Sequence, residues 1–136
     1  MHAGKELPDH SYEIATNAKR FDYSSRSFGD VYTLSAGLSY LEKVGVNRIE
    51  AHTVDNLARR LQDGLEKQGH RLFTPHGNRS SIVTFYTAKQ PSDVRAAFQS
   101  ANIEVTVRDG MVRVSPALFN NVDDIERCLA TTKKLV

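Results

Sequence analysis

The chain has 136 residues and a formal charge of only +2, from 18 basic and 16 acidic side chains. Its 40% hydrophobic and 25% charged content suits one globular domain with one core. It has no basic block of the kind nucleic acid demands and no apolar run near the ~20 residues of a membrane span.

Residues 1–19 are polar, with weak periodicity, and are expected to form an irregular arm with a short helix or strand near Tyr12–Ala18. The remainder, 20–136, reads as a single domain. Residues 20–30 make a polar loop. A helix then starts between Phe28 and Asp30, with Val31, Leu34, Leu38 and Leu41 on one stripe, and stops around Gly45. A second helix follows Asn47, where Asn47 and Glu50 have the spacing of a capping box. Its stripe is Ile49, Val54, Leu57, Leu61 and Leu65, and Gly69 ends it. A strand over His70–Thr74 is broken by Pro75 and a turn at Gly77-Asn78. The run Ser81–Tyr86 is rich in β-formers and reads as a central strand. Pro91 and Ser92 open a third helix, with Val94, Ala97, Phe98 and Ala101 on one face. The last helix runs from about Val122 to Lys134, capped by Asn121 with Asp124 three residues on. Ile125, Leu129 and Thr132 point inward.

Between the third and last helices lies Glu104–Pro116, which alternates apolar and polar residues around Asp109-Gly110. That pattern is a β-hairpin with a two-residue turn, because both turn positions need positive φ. The turn sets Arg108 opposite Met111, Val107 opposite Val112, Thr106 opposite Arg113 and Val105 opposite Val114. The four valines therefore share one face, while Thr106, Arg108, Met111 and Arg113 share the other. A strand Arg on the non-core face is either solvated or a clamp for a carboxylate, whose two oxygens match the guanidinium fork. The element order gives an α+β two-layer sandwich, a mostly antiparallel sheet with helices packed on one face. The other face, with Arg113, is left open for another domain or subunit.

The segment Arg113-Val-Ser-Pro-Ala-Leu-Phe-Asn-Asn-Val-Asp-Asp-Ile-Glu126 resembles the C-terminal motif of class V aminotransferases: a strand Arg, a Ser, a Tyr/Phe-Asn pair and an acidic helix start. Upstream, Arg20-Phe-Asp-Tyr-Ser-Ser-Arg-Ser-Phe-Gly-Asp-Val-Tyr32 resembles the same family's Arg-Phe-Glu-x-Gly-Thr-x-Asn segment. Gly45-Val-Asn-Arg-Ile49 resembles its Gly-Val/Ile-x-Arg-Ile stretch. The likeness is greatest to isopenicillin N epimerase-like and cysteine desulfurase-like proteins. It implies the small C-terminal domain of a fold-type I pyridoxal phosphate enzyme, built as a homodimer.

On that resemblance Arg113 clamps the α-carboxylate of an amino-acid or keto-acid substrate. Ser24 and Ser25 fall where the family's Gly-Thr reaches the cofactor phosphate of the partner subunit. Ser keeps a hydroxyl donor, whereas the Gly that lets backbone approach the phosphate is absent. The Schiff-base Lys of the family lies well upstream of the Arg-Phe-Glu segment, and neither Lys5 nor Lys19 has its context. The chain is therefore expected to lack the large domain, to bind no pyridoxal phosphate alone and to be inactive alone. It reads as a domain fragment, a truncated product or half of a split enzyme. Its expected partners are a large pyridoxal phosphate-binding domain or a full-length homologue. The alternative is a stand-alone remnant acting as a protein-interaction or dimerisation module.

Cysteine desulfurases carry a nucleophilic Cys shortly before the Arg strand. This chain has no Cys between Met1 and Arg127, and Cys128 reads as a core residue of the last helix. A single cysteine also excludes an internal disulfide, and Met1–Pro8 lacks an apolar signal region, so the expected location is cytoplasmic. His2, His10, His52, His70 and His76 have no metal-ligand spacing, so no metal site is expected. No glycine-rich phosphate loop is present, and no sequence context supports Ser115 with His76 as nucleophile and base. Asp123 and Asp124 read as first-turn acids favoured by the helix dipole.

Overall fold

The computed structural model describes residues 4–21 and 27–136. The chain forms two compact units, 1–43 and 44–136.

In the first unit, β1 (Gly4–Glu6) pairs antiparallel with β2 (Tyr12–Ile14), so the arm holds more order than its composition suggested. The turn between them follows from Leu7-Pro8-Asp9-His10. Pro8 supplies the fixed φ of a turn's second position, and His10 N–H donates to the Leu7 carbonyl at 3.0 Å. Asp9 then accepts from both the backbone N–H (3.1 Å) and the hydroxyl (2.6 Å) of Ser11, which hold its carboxyl below the usual range. A short 3₁₀ turn, Ala18–Phe21, precedes α1 (Phe28–Val44). No residue of α1 is buried, and its stripe Val31, Leu34 and Leu38 faces solvent. The helix stops at Gly45, whose φ of +96° suits glycine.

The second unit opens with a long helical stretch: α2 (Val46–Glu50), a π-helical segment (Ala51–Ala58) and α3 (Arg59–Lys67). It starts one residue before Asn47, so the expected Asn47–Glu50 capping box does not form and the N-cap position falls on Gly45. Glu50 instead accepts from Arg79 Nη2 at 2.7 Å, tying the loop after the helix back to its first turn. The π-helical segment explains a spacing that an α-helix would waste. Thr53, Leu57, Leu61 and Leu65 recur every four residues and all are buried. In an α-helix each such step would drift the stripe by about 40°. The wider turns of the π segment drift it the other way, so the stripe stays on the core. A Schellman motif closes α3. Gly69, at φ +86°, donates to the Glu66 carbonyl (2.9 Å), and His70 donates to the Leu65 carbonyl (3.0 Å).

The sheet contains β3 (Val83–Tyr86), β4 (Thr106–Arg108) and β5 (Met111–Val114), in the order β3-β5-β4 and antiparallel throughout. The expected strand over His70–Thr74 shrinks to one bridge, Leu72 opposite Phe85. It ends because Phe73 and Thr74 N–H both donate to the Thr84 carbonyl (2.8 and 3.2 Å), a bulge that turns the segment away. Between the strands runs α4 (Pro91–Ser100), opened by Pro91 at its first turn. After β5 comes α5 (Val122–Thr132). The hairpin register is Thr106↔Arg113, Val107↔Val112 and Arg108↔Met111, as the two-residue turn requires. Asp109 and Gly110 have φ of 52° and 72°.

One core joins the helices to one face of the sheet, giving the α+β architecture expected. Leu57, Leu61 and Leu65 meet Val83, Phe85, Val107, Val112 and Val114. Val94, Phe98, Ile125, Cys128 and Leu129 complete it. α3 and α5 pack closely because Gly64 lies against Leu129: a Cβ on Gly64 would stand 2.5 Å from Leu129 Cδ1, 2.6 Å from Cδ2 and 3.1 Å from Cγ. A larger residue at position 64 must therefore displace the Leu129 side chain from its packed position against α3.

Gly64→Ala therefore lowers stability, even though alanine gains ~1 kcal/mol of helix propensity over glycine. Overpacking costs about 1–3 kcal/mol. Thermal unfolding followed by circular dichroism checks this. Combining it with Leu129→Ala should cost less than the two single changes summed, and an unchanged or higher Tm in Gly64→Ala alone would contradict the close approach. A second expectation concerns α5. Asn121 Oδ1 accepts from Asp124 N–H and Asp124 Oδ2 accepts from Asn121 N–H, both at 3.1 Å, the capping box expected here. Asn121→Ala should cost about 1 kcal/mol. The hydrogen bond from Asn121 backbone, with further help from Asn120 and Arg127, holds the Asp124 carboxyl below its ordinary 3.8. Asp124 thus adds stability that is present above that ordinary value and is lost as pH falls through the lower folded value. Urea unfolding between pH 7 and pH 2 should show a shallower acid-side loss in Asp124→Asn than in the unsubstituted chain.

Candidate carboxylate-binding face

The open side of the sheet follows from strand alternation. On β5, Val112 and Val114 enter the core while Arg113 is exposed. Arg113 stands between Thr84 on β3 and Thr106 on β4, and its Nη2 donates to Thr106 Oγ1 at 3.4 Å. A shallow depression beside it is lined by Glu104, Val105, Thr106 and Ser115. Among the described residues no carboxylate pairs with Arg113, so its fork remains available.

The next row of the same face holds Tyr86, Met111 and Arg108. Arg108 is paired with its neighbour Asp109 at 2.9 Å. The Leu72–Phe85 bridge sets Arg71 beside Tyr86 and Phe73 beside Thr84. The Arg71 guanidinium carbon lies 3.8 Å from the Tyr86 ring centroid, and Phe73 meets the same ring edge-on at 5.9 Å. Sequence reasoning missed Arg71, Phe73 and Tyr86. The signal was present, since alternation over His70–Thr74 already places Arg71 and Phe73 on one side.

Beyond β5 the chain leaves the sheet through Ser115-Pro116, and Asn120 folds the loop that follows. Its Oδ1 accepts from Ala117 N–H at 2.9 Å and its Nδ2 donates to Asp124 Oδ2 at 3.1 Å. From the π-helical segment, His52 Nε2 donates to the Asn120 carbonyl at 2.8 Å. His52 was not singled out in the sequence, because a lone histidine on a helix carries no spacing signal. Beneath the loop lies a cleft of about 270 Å³ whose wall includes Ile103, Val114, Phe119 and Cys128.

Ser24 and Ser25 lie outside the described residues. Every lysine whose environment is described is solvent-exposed: Lys19, Lys43, Lys67, Lys89, Lys133 and Lys134. A Schiff-base lysine needs a desolvated pocket to lower its pKa, so the described residues do not fit the covalent anchor of pyridoxal phosphate. No group of three or more His, Cys, Asp or Glu among them could hold a metal ion, and no described helix is long and apolar enough to cross a membrane.

Comparison with known proteins identifies the family. The family model for "Aminotransferase class-V" matches residues 3–128. The chain belongs to the class V aminotransferase family. Members of this family depend on pyridoxal phosphate. A "Probable cysteine desulfurase" of Pyrococcus abyssi is 24% identical over 141 residues, covering 92% of this chain and 35% of that protein. The "Uncharacterized aminotransferase YcbU" of Bacillus subtilis is 23% identical over 112 residues, covering 82% and 30%. Among solved structures, the apo cysteine desulfurase of Thermococcus onnurineus NA1 has a TM-score of 0.78 at 24% identity, over 100% of this chain and 38% of that one. The cysteine desulfurase CsdA of Escherichia coli has 0.76 at 20%, over 98% and 36%. The likeness to these structures is one of fold. The chain spans about a third of the length of the relatives it matches.

Cys128 is 3% exposed, and burial pushes its thiol up to about 12. It is therefore a packed core atom rather than a nucleophile. An aromatic disulfide reagent at pH 8 should label it only after urea unfolding. Stoichiometric labelling of the folded chain within minutes would contradict that burial.

Proposed function

We propose that this chain is the C-terminal small domain of a class V pyridoxal phosphate enzyme and that Arg113 holds the carboxylate of its amino-acid or keto-acid substrate. One observation carries the reading: Arg113 stands in mid-sheet on the uncovered face, its fork free of any acid among the described residues and flanked by the hydroxyls of Thr84 and Thr106. Two parallel N–H donors on a rigid strand match a planar carboxylate. The fork binds and orients the substrate, and the cofactor supplies the bond-breaking chemistry from a large domain elsewhere. Ser24 and Ser25 would donate to the cofactor phosphate across a homodimer. The enzyme would be cytoplasmic. Sulfur transfer is not part of the proposal, because α4 passes into β4 through residues 101–105 without a cysteine.

The two settings differ in what Arg113 is worth. Exposed, an Arg–carboxylate pair gains only ~0–1 kcal/mol, so the chain alone should bind a 2-oxo acid weakly. Titration of the ¹⁵N-labelled chain with 2-oxopentanoate should still move the Arg113 Nε–H resonance saturably, and Arg113→Met should abolish the shifts at Thr84 and Thr106. When the domain is joined to a cofactor-bearing large domain that excludes water, Arg113→Lys should weaken substrate binding by ~1.5–3 kcal/mol, because lysine keeps the charge but loses the fork. Unchanged affinity there, with the fold intact, would return Arg113 to a solvated surface residue.

A further inference from the structure

The same face carries a second unneutralised guanidinium, which the family motif does not include. Arg71 is held over the Tyr86 ring, its guanidinium carbon 3.8 Å from the centroid, and Phe73 meets the ring edge-on. Among the described residues neither Arg71 nor Arg113 pairs with an acid, whereas Arg108, on the same face, is satisfied by Asp109. In the sheet, Arg71 and Arg113 are two strands and two residues apart, about 12 Å between Cα atoms from ordinary sheet spacings. The contact carries the Arg71 guanidinium over Tyr86 of β3, the strand that lies between it and the Arg113 strand. Between the two forks lie Tyr86, Thr84 and Met111, a surface that is apolar at Tyr86 and Met111 and offers a hydroxyl at Thr84.

We propose that this face selects a short dicarboxylate, an amino or keto diacid. Arg113 takes the carboxylate beside the reacting carbon, and Arg71 takes the distal one. The inference rests on the reading of Arg113 given above. Two like charges facing one shallow surface repel each other, and a dianion relieves both at once, whereas a monoanion leaves one unsatisfied. Stacking on Tyr86 has already restricted Arg71, so less side-chain entropy is lost when the distal carboxylate binds. Glu104, in the depression on the β4 side of Arg113, disfavours an anion there, and so directs the second carboxylate towards Arg71.

The test compares 2-oxoglutarate with 2-oxopentanoate, which has the same carbon chain without the distal carboxylate. Each is titrated into the whole ¹⁵N-labelled chain while the arginine Nε–H resonances are followed. Both ligands should move Arg113. Only 2-oxoglutarate should move Arg71, and it should bind about threefold more tightly, within the range that one further solvent-exposed pair allows. Arg71→Met should erase that preference while the Arg113 response to 2-oxopentanoate persists. Equal affinities with a silent Arg71 overturn the dicarboxylate proposal and leave Arg113 as a clamp. A preference that survives in Arg71→Met overturns it as well. An Arg113 that responds to neither ligand overturns the underlying reading, and the proposal with it. The ligand comparison in the unsubstituted chain decides the question even if Arg71→Met fails to fold.

Discussion

The positive φ angles at Asp109 and Gly110 set everything else on the sheet. With a turn of only two residues, Val107 must face Val112 and Thr106 must face Arg113. A slip by one residue would send Val107, Val112 and Val114 into water and Arg113 into the core. Each exposed valine would forfeit about 1.5–3 kcal/mol, and a buried unpaired guanidinium would cost several more. The register is thus worth more than half of a small domain's usual stability. Because β5 is the middle strand, the choice propagates. It fixes Thr84 beside Arg113 on β3, and through Phe85 and Leu72 it fixes where Arg71 stands.

The sheet therefore divides its labour by face. Its inner side gives cohesion, with Phe85, Val83 and Val112 fully buried against the helical stripe. Its outer side carries the polar and aromatic groups that contribute little to folding. The loop after β5 is fastened separately, at Asn120, between His52 of the π-helical segment and the α5 cap. That fastening stabilises the end of the strand that carries Arg113 without touching the open face. On the proposed reading, substitutions on the outer face alter binding with small effects on stability.

What was legible in the sequence depended on whether the signal was local. The hairpin was readable to the residue because turn chemistry and alternation both lie within Val105–Val114. The Asn121–Asp124 cap and the stop at Gly69 were readable for the same reason, and so was the core position of Cys128. The signals that misled depend on context. Asn47 and Glu50 have capping-box spacing, but Gly45 begins the helix one residue too early, and Arg79, distant in sequence, takes Glu50. The strand at His70–Thr74 had the pattern, but a bulge at Thr84 cut it to one bridge. The π-helical segment left a trace in the four-residue spacing of Thr53, Leu57 and Leu61, which an α-helical template absorbs as noise. Of the β1–β2 hairpin only β2 left a trace, as the short helix or strand expected near Tyr12–Ala18; β1 and the pairing were hidden because the strands are three residues each, too short for alternation to register. The family likeness named Arg113 as a clamp but gave no hint of Arg71, which belongs to none of the matched motifs.

A bare arginine on an open sheet is a weak binder for a physical reason. In water the guanidinium exchanges hydration for a carboxylate of nearly equal worth, and the pair gains little. The same two hydrogen bonds strengthen once a surface closes over them and removes the competing water. The face around Arg113 is shallow, and no described side chain closes over it; the described side chains present a fork, two hydroxyls and an aromatic floor. The chain also spans only about a third of its relatives' length. On the proposed reading these facts explain each other. Rigidity and register come from this domain and desolvation from a large one. The energy of the carboxylate contact is then realised only when the two meet around the substrate, which makes substrate capture and domain closure a single step.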